Sequence, residues 1–168
     1  EDCRYVSLLS MSTTKNCYDY TNWGNMVENL YECLTVGEGA YNNKFCIQCW
    51  PQAMNMEYCM YAISSQNCFG CVNLKRKKYC ILNKEYSKQD YEKLKAQIIE
   101  DIKNNPYIDK YGKTYSYGEL FPVELSPFAY NETMVNYFFP KTKEQAIADG
   151  YQWFDQDIKK YKITIDKY

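Results

Sequence analysis

The chain has 168 residues, a formal net charge of −1, and charges of both signs spread along it, so no global field draws it to nucleic acid or to a membrane surface. No run is long and apolar enough to span a bilayer, and no signal peptide is visible. There is no histidine, which excludes Cys–His and Ser–His nucleophilic catalysis and every zinc site that needs imidazole.

The N-terminal half carries a repeat. Cys46-x2-Cys49 followed by Tyr58-Cys59 recurs as Cys68-x2-Cys71 followed by Tyr79-Cys80, at a shift of 22 residues falling to 21. Upstream, Cys17 with Tyr20 and Tyr31-x-Cys33 fill the same two slots, and Cys3 with Val6 is a worn copy of a fourth. A step of about 22 residues lies in the range of solenoid repeats, whose coils bury their apolar faces against each other. Each cysteine step then spans half a coil. The residues beside the cysteines are β-branched, aromatic or aliphatic, and Asn and Gly cluster between them, as short strands joined by left-handed corners require. The reading is a mainly β fold, with residues 1–84 forming a short parallel β-helix of three to four coils.

Cysteine suits such an interior because it is small and among the most often buried side chains. The registration predicts columns of Cys46 on Cys68, Cys49 on Cys71 and Cys59 on Cys80, and places Glu57 beside Lys78. Replacing Cys59 or Cys80 by Ser would then leave an unpaired buried hydroxyl and cost about 1–3 kcal/mol.

From Ser87 the pattern becomes helical, with Ser87 and Asp90 in capping positions and Tyr91, Leu94, Ile98 and Ile102 on one face. Asn104-Asn105-Pro106 ends it, so residues 85–105 read as a helix capping the open end of the coil. Residues 106–168 form an irregular, Tyr- and Pro-rich α+β appendage. It holds a short helical piece after Asn131, a capping box at Thr142 to Gln145 opening a helix that Gly150 stops, and a strand over Tyr151 to Phe154. The segment from Gln156 to Tyr168 has no assignment.

Four cysteines, Cys46, Cys49, Cys68 and Cys71, match the spacing of an all-thiolate zinc ribbon, although a repeat period produces the same spacing without metal. Zinc is the only cofactor the sequence raises. Lys75, Arg76, Lys77 and Lys78 form the one basic run, which suits either a few phosphates or a solvated corner guarding a sheet edge. Nineteen tyrosines fit an exposed ladder for sugars or unpaired bases, or half-buried strand positions. The acids near the strands, Asp19, Glu32 and Glu57, fall in different slots of the 22-residue period, so no glycosidase-like carboxylate pair is visible. Asn131-Glu132-Thr133 fits a glycosylation sequon, which matters only in a secreted protein. Nine cysteines, an odd number in repeat spacing, point to free thiols in a reducing, cytoplasmic compartment. The opening Glu1-Asp2-Cys3, already in the repeat idiom, points to a piece of a longer parent chain.

At Asn67 to Leu74, Lys78 to Lys84 and Tyr86-Ser87-Lys88, the chain resembles a group of uncharacterised cysteine-rich proteins predicted from metagenomic bacterial genomes. The blocks Phe121 to Thr133 and Tyr137 to Glu144 resemble the same group, and the likeness covers most of residues 16 to 155. Longer members of that group carry flanking zinc-ribbon segments. The resemblance implies a parent protein in which the ribbons bind metal and nucleic acid while this region is the scaffold; it implies no activity. The expectation is therefore a non-catalytic scaffold or binding module that presents a tyrosine-rich face to a protein partner, or to nucleic acid held by domains outside this chain. The alternatives are a structural zinc module and a carbohydrate-binding or carbohydrate-active β-helix.

Overall fold

The computed structural model describes residues 2–7, 13–22 and 24–155. Seven strands stack in chain order as a parallel sheet: β1 (Arg4–Ser7), β2 (Thr14–Thr21), β3 (Val27–Leu34), β4 (Tyr41–Lys44), β5 (Met54–Glu57), β6 (Gln66–Phe69) and β7 (Lys78–Ile81). The protein is a parallel β-solenoid, as the cysteine and asparagine pattern requires, with about five coils between β2 and β7.

The coil is smaller than the 22-residue repeat implies. Cys17 pairs with Leu30, Leu30 with Asn43, Met56 with Cys68 and Cys68 with Cys80, so one turn takes 13 residues and later 12. Within a turn, every third side chain points inward: Val27, Leu30, Cys33 and Val36, then Ala40, Asn43, Cys46 and Cys49, then Ala53, Met56, Cys59 and Ala62. The residue before each inward one has a positive φ, as at Asn42, Phe45, Gln48 and Gln52 in one coil and Asn55, Tyr58 and Tyr61 in the next. Four left-handed corners per turn make a narrow four-sided coil, and the Asn-rich composition reflects that demand because Asn tolerates this backbone region best after Gly.

Three-residue sides explain the apparent period. A shift of 22 equals two coils less one side, so Cys46-x2-Cys49 meets its look-alike one corner away. The cysteine columns are accordingly Cys33, Cys46, Cys59 and Cys71 in one line and Cys68 with Cys80 in the next, which corrects the pairing of Cys46 with Cys68, Cys49 with Cys71 and Cys59 with Cys80. Glu57 pairs with Phe69 and Lys78 with Gln66, so those two charges are not neighbours.

The interior is small because a 12-residue coil encloses little volume, and Ala, Cys and Val fill most of it. Thiols also serve the backbone there: Cys46 Sγ lies 3.2 Å from the Lys44 carbonyl, Cys59 Sγ 3.3 Å from Glu57 O and Cys71 Sγ 3.3 Å from Phe69 O. Each thiol donates to the carbonyl two residues back, at the preceding corner. Ser65, fully buried in the same kind of slot, donates to the Ile63 carbonyl at 3.0 Å. A serine hydroxyl in a cysteine slot is therefore not unpaired, contrary to the sequence-based expectation. The buried amide of Asn43 donates to Ala53 O and accepts from the Met56 N–H, both at 3.0 Å, tying adjacent coils.

Leu82 and Asn83, both left-handed, reverse the chain into β8 (Lys84–Glu85), which pairs antiparallel with β7 and occupies the free edge of the last parallel strand. Helix α1 (Lys88–Asn104) follows, with Ser87 as its N-cap accepting from the Asp90 N–H at 3.1 Å. It lies along the side of the later coils, where Tyr91 packs with Phe69 and Ile81 and with the half-buried Leu94, Ile98 and Ile102. The helix thus covers a lateral face, while the β8 hairpin finishes the edge that the sequence assigned to the helix. Strands β9 (Tyr107–Ile108) and β10 (Thr114–Tyr115) form a separate two-stranded pair.

The chain divides into two compact units, residues 1–107 with 114–120, and residues 108–113 with 121–168. In the described part of the second, α2 (Met134–Phe138) and α3 (Lys143–Ala148) are the helices expected after Asn131 and after the Thr142 capping box, where Gln145 N–H donates to Thr142 Oγ1 at 3.3 Å and Gly150 follows at φ +87°. Tyr151 to Phe154 is not a strand; Phe154 is held instead by Asn131, whose side chain bonds both its N–H and its carbonyl. That engagement also occupies the amide of the sequon. Residues 156–168 lie outside the described residues.

Candidate functional site

Two adjacent outward columns run up one side of the solenoid, and together they carry the chain's most continuous chemistry. One contains Arg4, Tyr18, Tyr31, Lys44, Glu57 and Phe69 in register. The residues that follow them in sequence, Tyr5, Asp19, Glu32, Phe45 and Tyr58, form the second, all at left-handed corners. Rings pass from one column to the other: Tyr5 to Tyr18 at 5.6 Å between centroids, Tyr18 to Tyr31 at 5.5 Å, Tyr31 to Phe45 at 5.4 Å, Phe45 to Tyr58 at 4.6 Å and Tyr58 to Phe69 at 5.7 Å. Coil spacing of about 4.8 Å sets these distances. Six rings form one unbroken ladder.

The upper half of the ladder is covered. Tyr58 Oη donates to the Glu119 carbonyl and accepts from the Gly118 N–H, both at 3.0 Å. Lys95 of α1 reaches Glu57 at 2.9 Å while its ammonium stands 5.9 Å from the Phe69 ring centre, and the Tyr117 hydroxyl donates to the other Glu57 oxygen at 2.9 Å. Phe45 and Phe69 are 3% and 5% exposed, whereas Tyr18, Tyr31 and Tyr5 are 37%, 36% and 75% exposed. Among the described residues the covering segments reach the middle coils and stop short of the first three rings, which stay exposed.

Carboxylates sit beside the bare rings. Asp19 and Glu32 fall in the same slot of successive coils, since the next residues, Tyr20 and Cys33, are partners. This corrects the sequence-based view that their slots do not coincide. Burial raises the Glu32 carboxyl above the usual range; the Tyr31 hydroxyl, hydrogen-bonded to it, works the other way, and the Asp19 and Glu119 charges raise it further. The signal was present in the sequence as the adjacent aromatic–acid pairs Tyr18-Asp19, Tyr31-Glu32 and Glu57-Tyr58, but only the 13-residue register aligns Asp19 with Glu32 and sets Glu57 in the column of Tyr18 and Tyr31.

The other predicted sites are placed as follows. Cys46 and Cys49 occupy one coil and Cys68 and Cys71 lie two coils on, with the Cys59 coil between, about 10 Å away at two strand spacings. The structure does not bring these four thiols to one point, and among the described residues no group of three His, Cys, Asp or Glu side chains is arranged to hold a metal ion. Eight of the cysteines are buried and Cys3 is exposed. Burial pushes the Cys17 thiol up to about 11. Lys75, Arg76, Lys77 and Lys78 wrap the corner that leads into β7, all exposed, with Lys77 in an ion pair to Glu85 of β8 at 3.0 Å. Beside α1, Asn42, Asn55 and Asn67 form a hydrogen-bonded amide ladder and, with Tyr91, Glu92 and Lys95, line an open groove of about 410 Å³. No described helix is long and apolar enough to cross a membrane.

Comparison with protein-family models, with curated proteins and with solved structures returned no match.

Proposed function

We propose that the protein is a non-catalytic binding module, whose solenoid presents the Tyr5–Tyr18–Tyr31 face to a protein partner, within a larger assembly or parent chain. One observation carries this: the ladder is a single structure, half of it sealed by the chain's own helix and loop and half left bare. Large aromatic side chains are the preferred anchors of protein interfaces, and here they stand in a row on a rigid sheet. The metagenomic resemblance and a cytoplasmic, thiol-reducing setting belong to the same proposal. The Lys75 to Lys78 corner and the thiol columns are read as edge protection and interior.

The test is site-specific photocrosslinking in cells from a benzophenone side chain at Tyr18, with one at exposed Leu82 as the control. Discrete protein adducts from position 18 that are absent from position 82 are expected. Adducts to nucleic acid alone, or the same pattern from both positions, would refute the assignment.

The second reading, a carbohydrate-active face, draws on Asp19 and Glu32 in one slot of successive coils beside the tyrosines, one of them with a raised pKa. Release of reducing ends from a polysaccharide by the wild type but not by Glu32→Gln would establish it over the first.

A further inference from the structure

Resting on the binding-module reading, we infer that the bare half of the ladder takes a cationic segment of the partner protein, one presenting lysine or arginine side chains at coil spacing. The chain supplies its own precedent. Glu57 and Tyr58 form one of three aromatic–acid pairs in these two columns, and the structure shows what covers it: the Lys95 ammonium, 2.9 Å from the Glu57 carboxylate and over the face of Phe69. Tyr117 and Gly118 complete the cover through the second Glu57 oxygen and the Tyr58 hydroxyl. The pairs Tyr18-Asp19 and Tyr31-Glu32 bring the same two chemistries down the same side with the columns exchanged, tyrosine in the strand column and carboxylate at the corner, and without a covering cation among the described residues.

Charge supports the same occupant. Asp19 and Glu32 stand in the same slot of successive coils, two like charges side by side, and the Glu119 charge acts on Glu32 in the same sense. The two cations in the columns are at the ends of the bare stretch, Arg4 in register with Tyr18 and Lys44 with Tyr31 and Glu57. Between them an incoming ammonium or guanidinium group gains both a carboxylate and a tyrosine face, the combination that makes a cation–aromatic contact strong once water is displaced. An anionic partner such as nucleic acid gains the rings but meets the Asp19 and Glu32 carboxylates.

The experiment titrates oligolysine and oligoarginine peptides, and length-matched oligoglutamine, into the whole protein and follows tyrosine resonances by NMR. The basic peptides are expected to shift Tyr18 and Tyr31, to weaken as salt rises, and to lose about tenfold in affinity in the Asp19→Asn/Glu32→Gln variant. Glu92→Gln/Glu100→Gln, on α1, is expected to leave the affinity unchanged. Melting midpoints of both variants at or above wild type exclude unfolding as the cause. Equal binding of oligoglutamine, or indifference to Asp19→Asn/Glu32→Gln, would overturn the cationic occupant while leaving position-18 crosslinks, and with them the binding face, intact. Absence of binding by both basic peptides overturns it as well. Loss of the crosslinks themselves would remove the binding-module reading instead.

Discussion

At the scale of single residues, the interior of this protein is governed by what fits and what the corners need. A thiol is small enough for a three-residue side and donates to the carbonyl two residues back, as at Cys59 and Glu57. Cys59→Ser keeps that acceptor and is expected to cost about 1 kcal/mol, whereas Cys59→Leu overpacks a fixed space and should cost about 1–3 kcal/mol. Urea unfolding of the pair checks the order, and a serine variant less stable than the leucine variant would contradict it. Tyr91 presents the opposite case, a buried hydroxyl without a hydrogen-bond partner among the described residues. Tyr91→Phe should therefore raise stability, by about 1 kcal/mol, and a lower melting midpoint would show that the hydroxyl has a partner. Glu32 has a native pKa raised above its unfolded value, so the native state holds its proton more tightly. Its contribution is fully present below the unfolded carboxylate range near pH 4.3 and is lost as pH rises through the native value. Glu32→Gln should accordingly be more stable than wild type at neutral pH, with the difference shrinking toward about pH 3; a constant difference across that range would contradict the cause assigned to the shift.

At the scale of elements, α1 and the loop at Tyr117 are tied to the solenoid through one carboxylate. Glu57 is 8% exposed and accepts from both Lys95 and Tyr117. Removing the cation leaves a buried charge short of a partner, so Lys95→Met is expected to cost about 2–4 kcal/mol, more than an exposed ion pair is worth. Glu57→Gln/Lys95→Met should recover part of that loss, and a double variant no more stable than Lys95→Met would argue against the pairing. Much at this scale was legible in the sequence. The Ser87 and Thr142 caps, the apolar stripe of α1 and the stop at Asn104 are local signals, readable because capping chemistry and a 3.6-residue period depend on near neighbours alone. The coil period was not. With inward residues every third position, the CxxC motif looks alike at neighbouring corners, and a shift of two coils less one side imitates a repeat. Pairing partners lie 12 or 13 residues apart, and nothing local distinguishes one corner from the next. The aromatic–acid face was lost with the register, since Asp19 and Glu32 align only at 13.

At the scale of the molecule, the solenoid is a narrow four-sided coil lined with thiols, and among the described residues its outside carries an aromatic ladder whose upper rings are covered and whose first rings are exposed. The function proposed for the face depends on that register, because a 22-residue coil would scatter Tyr18, Tyr31 and Tyr58 to different sides. The same register puts eight cysteines inside and leaves Cys3 exposed. Thiol counting with an aromatic disulfide reagent, before and after denaturation, tests it most directly. One thiol reacting promptly in the native protein, silenced by Cys3→Ser, and all nine cysteines reacting once the chain is unfolded is the expected result. Prompt native reaction at Cys46, Cys59 or Cys71 would mean that the thiols do not line the coil.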